Sequence, residues 1–95
     1  YVDYASTKGA LDTLTLGLPR EVGTDGVRVV AVRPGLIETD IHASGGQPGR
    51  SDRLEPATPM GRSGSAAEVA EAIIWLMSDE ASYVNGAILD VTGGR

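Results

Sequence analysis

The sequence predicts an α/β fold with a parallel sheet, in the order helix, strand, lid loop, helix, strand. Three observations predict it. Val27-Arg28-Val29-Val30-Ala31-Val32 is an almost continuous β-branched run, the composition of a strand covered on both faces. Ser65-Ala66-Ala67-Glu68 has the spacing of a capping box and opens a helical pattern. Ala87-Ile88-Leu89-Asp90-Val91 is a second short apolar run, introduced by Asn85-Gly86 and ended by Gly93-Gly94. Strand, helix, strand makes a βαβ unit, whose right-handed crossover sets the two strands parallel.

The first helix is expected to start near Asp3. Tyr4, Lys8, Leu11 and Thr15 fall at i, i+4, i+7 and i+11, which is one helical face, with Leu14, Leu18 and Val22 beside it. Pro19 deletes a helical hydrogen bond and clashes one turn back, at a cost of ~3 kcal/mol, so a kink or break is expected near Leu18. Gly23 and Gly26 then end the element. The first strand covers 27–32 and stops at Arg33-Pro34-Gly35. Residues 36–62, rich in Gly, Pro, Ser and charge, read as one long loop with at most a short helix, and loops of this length are commonly lids or binding loops. In the second helix Val69, Ile73, Leu76 and Met77 form the stripe expected to be buried, and Ser78-Asp79 closes it. Two parallel strands covered on both faces do not complete a sheet, so its edges and faces require further protein.

The bulk properties narrow the function classes. The chain has 95 residues, 41% hydrophobic and 22% charged, which is ordinary for a soluble globular protein. No apolar run approaches the ~20 residues that span a bilayer, and no signal peptide is visible, so no membrane partner is expected. The absence of cysteine excludes disulfides and thiolate metal sites and fits a cytoplasmic location. A net charge of −5, with eight basic residues that form no run, argues against nucleic acid as a partner. One histidine and scattered carboxylates argue against a transition-metal site.

The sharpest chemical feature is Tyr4-Ala5-Ser6-Thr7-Lys8. The i, i+4 spacing puts a phenol and an ammonium side by side on a helix. A phenol titrates near pH ~10 in water and is a poor base at neutrality. An ammonium about 4 Å away stabilises the phenolate by roughly 4 kcal/mol at an effective dielectric of ~20. A helix N-terminus adds a little more. Such a pair can exchange a proton with an alcohol or carbonyl oxygen. A tyrosine and a lysine four apart also occur as a plain surface pair, so the neighbouring segments decide. His42, the single histidine, sits in the Gly/Ser-rich loop and reads as a lid or surface residue. Glu38 and Asp40 read as solvated, Ser65 as a structural cap, and Trp75 as packed against the sheet or a neighbouring subunit.

Those segments carry a resemblance. Tyr4-Ala5-Ser6-Thr7-Lys8-Gly9-Ala10-Leu11 resembles the Tyr-x-x-x-Lys segment of the short-chain dehydrogenase/reductase family. Residues 27–39 resemble its next strand and Pro-Gly-x-Ile-x-Thr loop. Pro59-Met60-Gly61-Arg62-Ser63-Gly64 with Glu68-Val69-Ala70 resembles its later loop and helix start. Gly86–Gly94 resembles its last strand and terminal Gly-Gly. The matches run in order over essentially the whole chain, and the lid region is similar to that of sugar and carbonyl dehydrogenases. The resemblance implies the C-terminal part of a doubly wound Rossmann-type parallel sheet. It implies an oxidoreductase using NAD or NADP on a small carbonyl or alcohol substrate. Tyr4 and Lys8 would both be catalytic and cofactor-binding, Tyr4 as the general acid/base and Lys8 stabilising its phenolate and hydrogen-bonding the nicotinamide ribose. Pro34, Gly35, Ile37 and Thr39 would line the nicotinamide, Ile37 with backbone groups and Thr39 with its hydroxyl. Independently, that loop follows the carboxyl end of a parallel strand, where open α/β sheets bind ligands. Thr39 would also suit the cap of a short helix over 40–44, a role compatible with the first.

Other features depart from the family pattern. The Gly-rich turn that holds the pyrophosphate is not in this sequence. The family's carbonyl-polarising serine lies upstream of the tyrosine, and Ser6, on another helical face, does not replace it. Val30 stands where many members carry Asn. The expectation is therefore that residues 1–95 are the C-terminal portion of a single Rossmann-type domain without its N-terminal dinucleotide-binding half. A homodimer or homotetramer is expected from the resemblance. The alternative reading is a catalytically incompetent fragment or assembly module of such an enzyme.

Overall fold

The computed structural model describes residues 1–38 and 58–94. In chain order the elements are α1 (Val2–Val22), a 3-10 turn (Gly23–Asp25), β1 (Ala31–Pro34), β2 (Ile37–Glu38), β3 (Gly64–Ser65), α2 (Ala66–Met77), a second 3-10 turn (Asp79–Ala81) and β4 (Ile88–Val91). The chain divides into two compact units, one of Tyr1–Ala31 with Leu76–Leu89, the other of Val32–Trp75 with Asp90–Arg95. β1 is hydrogen-bonded to β4, and β2 to β3. The β2–β3 pair is parallel, with Ile37 opposite Gly64 and Glu38 opposite Ser65. In the β1–β4 pair, Ala31 N donates to Ala87 O in the first unit and Gly35 N to Val91 O in the second. Both positions advance by four, so these strands are also parallel, as the βαβ pattern requires.

In the first unit α1 runs unbroken through Pro19. The break expected near Leu18 does not occur. Pro19 lies in the last turn, so it removes one hydrogen bond with little helix left to redirect, and its carbonyl accepts the Gly23 N–H. The Thr15 carbonyl that loses its partner faces Gly86, where an added Cβ would stand 3.6 Å from Pro19 Cγ and 3.9 Å from Thr15 O. Gly86 has φ +70° and so gives this close approach a backbone that other residues rarely adopt.

The first strand begins later than its composition suggested. Residues 27–30 are not strand, because their polar groups are engaged elsewhere. Val29 N donates to Asn85 Oδ1 at 2.9 Å, and Val29 O accepts from Gly86 N at 2.8 Å. The strand extends to Pro34 instead, at whose position a missing N–H is tolerated at a strand end. Burial on both faces is not met within this chain: Ala31 and Val32 are half-buried, Arg33 and Pro34 exposed.

Arg28 is the polar anchor of the first unit. Its guanidinium donates to the carbonyls of Leu76 at 2.7 Å, Ser78 at 3.2 Å and Val84 at 3.3 Å. A cation there satisfies carbonyls that the end of a helix leaves open. Leu76 and Ala81, 3% and 1% exposed, are the buried apolar side chains among the described residues. The stripe expected on α2 is thus only partly right. Leu76 is buried and Val69 half-buried, but Ile73 and Met77 are exposed. Periodicity finds the apolar face of a helix but not how far along it the covering protein reaches.

The second unit carries the turns. The capping box forms as expected: Glu68 N donates to Ser65 Oγ at 3.1 Å, and Ser65 N to Glu68 Oε1 at 3.0 Å. The region expected to be loop, 36–62, contains the short strand β2, and β3 follows it; both lengths are below what composition can signal. Thr39, Asp40, His42 and the helix expected over 40–44 lie outside the described residues.

Candidate functional site

Tyr4 lies in the first turn of α1, which starts within a residue of the expected position. The backbone seeds the helix through Ala5 N donating to Tyr1 O at 2.9 Å. Lys8 follows one turn later. Its ammonium stands over the Tyr4 ring, 5.4 Å from the centroid, within the range of a cation–π contact. The Tyr1 ring lies 5.8 Å from that of Tyr4, tilted by 36°. Tyr4 is 59% exposed, so its phenol is open to a reacting partner. Thr7 does not compete for it, since its hydroxyl donates back to Asp3 O at 2.9 Å. The spacing therefore brings the Tyr4 and Lys8 side chains together on a regular, exposed helical face of the first unit.

Pro34, Gly35 and Ile37 belong to the second unit. Pro34 and Gly35 are exposed, and Ile37 is half-buried. Gly35 leaves β1 at a point of close approach. A Cβ there would lie 2.9 Å from Thr92 Cα, so only glycine fits without movement. The loop is fixed on its other side by Gly64 N donating to Leu36 O at 2.9 Å. Beside it is a cavity of about 410 Å³, lined by Leu36, Ile37, Met60, Arg62, Glu68 and Thr92 among others. That volume lies in the range of small-molecule sites.

The wall of this cavity contains residues whose roles were not read from the sequence. Behind the wall residue Arg62, Thr58, 5% exposed and not itself lining the cavity, closes a turn by donating to Arg62 O and accepting from Arg62 N, each at 3.1 Å. Arg62 makes a two-armed contact with Glu68, Nη1 to Oε1 at 2.8 Å and Nη2 to Oε2 at 2.9 Å. Those hydrogen bonds, and then the Ser65 N–H, hold the Glu68 carboxyl down at about 2. The available signal was a lone arginine in a Gly-rich turn six residues before a capping-box glutamate. Met60 N donates to Gly93 O at 3.1 Å, which ties the same turn to the terminal glycines.

The comparison with known families resolves what this arrangement belongs to. A family profile described as enoyl-(acyl carrier protein) reductase matches residues 1–95. The chain belongs to the short-chain dehydrogenase/reductase family. It is 60% identical over 95 residues to the uncharacterized oxidoreductase YgfF of Escherichia coli K12, covering 100% of this chain and 38% of that protein. A short-chain dehydrogenase/reductase structure from Brucella melitensis, described as a glucose/ribitol dehydrogenase, superposes with a TM-score of 0.83. It is 38% identical, over 96% of this chain and 36% of that one. A structure from Agrobacterium tumefaciens with bound NADP gives a TM-score of 0.83 at 35% identity, over 95% of this chain and 37% of that one. The chain spans little more than a third of the length of the relatives it matches. Short-chain dehydrogenase/reductase membership establishes the α/β parallel architecture as the C-terminal part of a Rossmann-type fold. Among the described residues, no helix is long and apolar enough to cross a membrane.

Proposed function

We propose that this chain is the C-terminal portion of a single Rossmann-type domain in an NAD(P)-dependent oxidoreductase that acts on a small carbonyl or alcohol substrate. The observation that carries the reading is the exposed Tyr4–Lys8 pair at the start of α1, within a chain matched to the family along its whole length. The residues suit a nicotinamide nucleotide. Pro34, Gly35 and Ile37 follow the carboxyl end of a parallel strand, where such sheets take their ligands. The Agrobacterium relative with bound NADP supports the same cofactor class.

When bound, the nicotinamide supplies or accepts the hydride at the substrate carbon. In the reductive direction Tyr4 gives its phenolic proton to the carbonyl oxygen, and in the oxidative direction it takes the hydroxyl proton. The Lys8 ammonium would stabilise the phenolate left on Tyr4 and donate to the nicotinamide ribose. Pro34, Gly35 and Ile37 would hold the nicotinamide, and Thr39 would add a hydroxyl. The reading extends to a cytoplasmic homodimer or homotetramer, in which further protein covers the exposed apolar side chains of α1 and α2.

The test is a titration of the intact protein with NADH and NADPH by fluorescence, followed by turnover with sugars, ketones and aldehydes. Saturable binding of one cofactor, and its consumption with at least one carbonyl class, is expected. Failure to bind either cofactor would overturn the proposal and favour an assembly module.

A further inference from the structure

One strand connects the polar cluster of the second unit to the loop expected to hold the nicotinamide. β3 contains only Gly64 and Ser65, yet it is the parallel partner of Ile37 and Glu38. Its Gly64 N–H donates to the Leu36 carbonyl. Two residues of strand pairing cannot hold a loop unaided, since an isolated short pair is marginal in water. The strand is gripped at both flanks. Before it, the Arg62 guanidinium donates to Ser63 O at 3.1 Å. After it, the Glu68 carboxylate accepts from Ser65 N at 3.0 Å. The two gripping groups are joined to each other by the two-armed ion pair at 2.8 and 2.9 Å. Ser63 is itself buried and donates to Glu38 Oε2 at 3.4 Å, adding a link to β2.

We propose that Arg62 and Glu68 are positioning residues for the nicotinamide loop, which together clamp β3 and through it set Leu36 and Ile37. This rests on the oxidoreductase reading above. The pair engages the backbone at Ser63 and Ser65. It acts by fixing where the backbone of Ile37 stands, and misplacement of such a contact weakens cofactor binding in the ground state and the transition state alike. The two side chains are 50% and 48% exposed, so the clamp is open to solvent and weakens with salt. Removing it leaves α2 its other capping partner, Ser65 Oγ on Glu68 N. A purely local role in starting α2 would therefore depend on Glu68 and not on Arg62.

The experiment uses the intact protein with Arg62→Ala, Arg62→Lys and Glu68→Gln. Glu68→Gln keeps an acceptor for Ser65 N while removing the charge. In Arg62→Ala the KM for the nicotinamide cofactor is expected to rise about tenfold with kcat within about twofold, and Arg62→Lys to recover part of the loss. Amide exchange at Gly64 is expected to speed up in Arg62→Ala, a readout that needs no turnover. An active wild type whose cofactor KM is the same in Arg62→Ala would overturn the clamp while leaving the oxidoreductase reading in place. An inactive wild type would remove that reading, and unchanged Gly64 exchange would then overturn the clamp as well. Should Arg62→Ala fail to fold, the same two readouts in Arg62→Lys and Glu68→Gln decide the matter.

Discussion

Tyr4 and Lys8 stand on a 21-residue helix in the first unit, whereas Pro34, Gly35 and Ile37 stand on a strand end and a loop in the second. The two units are held in different ways. The first has buried apolar side chains, Leu76 and Ala81, one arginine spread over three carbonyls, and a buried hydroxyl, Thr15, turned back onto its own helix at Leu11 O. The second, among the described residues, has buried hydroxyls, Thr58 and Ser63, but no buried apolar side chain, and it carries the ion pairs Arg33–Asp90 and Arg62–Glu68. The difference follows from what each presents. A proton-transfer pair needs a fixed spacing, which any regular helix provides through its own backbone bonds. A groove formed by turns has no such ladder, so its shape depends on individual polar contacts.

That contrast can be broken at its strongest point by Leu76→Ala. Loss of a buried leucine should lower stability by about 2–5 kcal/mol, read by urea unfolding, with the polar turn of the second unit intact. A smaller loss would mean that the apolar anchor of the first unit is less important than its burial indicates. Gly35→Ala sharpens the other side. Its Cβ would meet Thr92 Cα at 2.9 Å, so a loss of about 1–3 kcal/mol is expected, together with weakened cofactor binding. Unchanged stability would show that the approach of the loop to Thr92 relaxes freely.

The smallest expected effect concerns pH. The Glu68 carboxyl is held at about 2, against an ordinary value of 4.5, by Arg62 and then by the Ser65 N–H. Its folded value is depressed, so the stabilisation it gives is fully present above pH 4.5 and is lost as pH falls through about 2. An NMR titration should find the Glu68 side chain still ionised at pH 4, and in Arg62→Ala it should titrate closer to the ordinary value. Titration near 4.5 in the wild type would mean that the ion pair is not populated in solution.

The elements legible in the sequence were those with a local cause. The Ser65–Glu68 box is a reciprocal side-chain and backbone pattern within one turn, and it formed as spaced. The parallel pairing followed from two short apolar runs around a helix. Misreadings arose where the cause lies elsewhere in the chain. Pro19 is tolerated because it falls in the last turn beside Gly86, which no local pattern reveals. Residues 27–30 leave the strand because Asn85 and Gly86 engage Val29. The Arg62–Glu68 pair crosses a turn between two elements, so neither helical nor strand periodicity marks it. For the candidate site, the helix spacing brought Tyr4 and Lys8 together, and Gly35 proved to stand where the chain allows no Cβ. Thr58 and Thr92 went unread because their importance arises from burial and close approach.

The proposed role of Tyr4 as proton carrier in a nicotinamide-dependent reaction is open to Tyr4→Phe in the intact protein, with kcat and cofactor affinity measured side by side. At 59% exposure the ring tolerates loss of its hydroxyl without disturbing α1. If Tyr4 carries the proton, kcat falls about 10²–10⁴-fold with cofactor affinity close to that of the wild type. A variant that retains wild-type kcat would contradict that role.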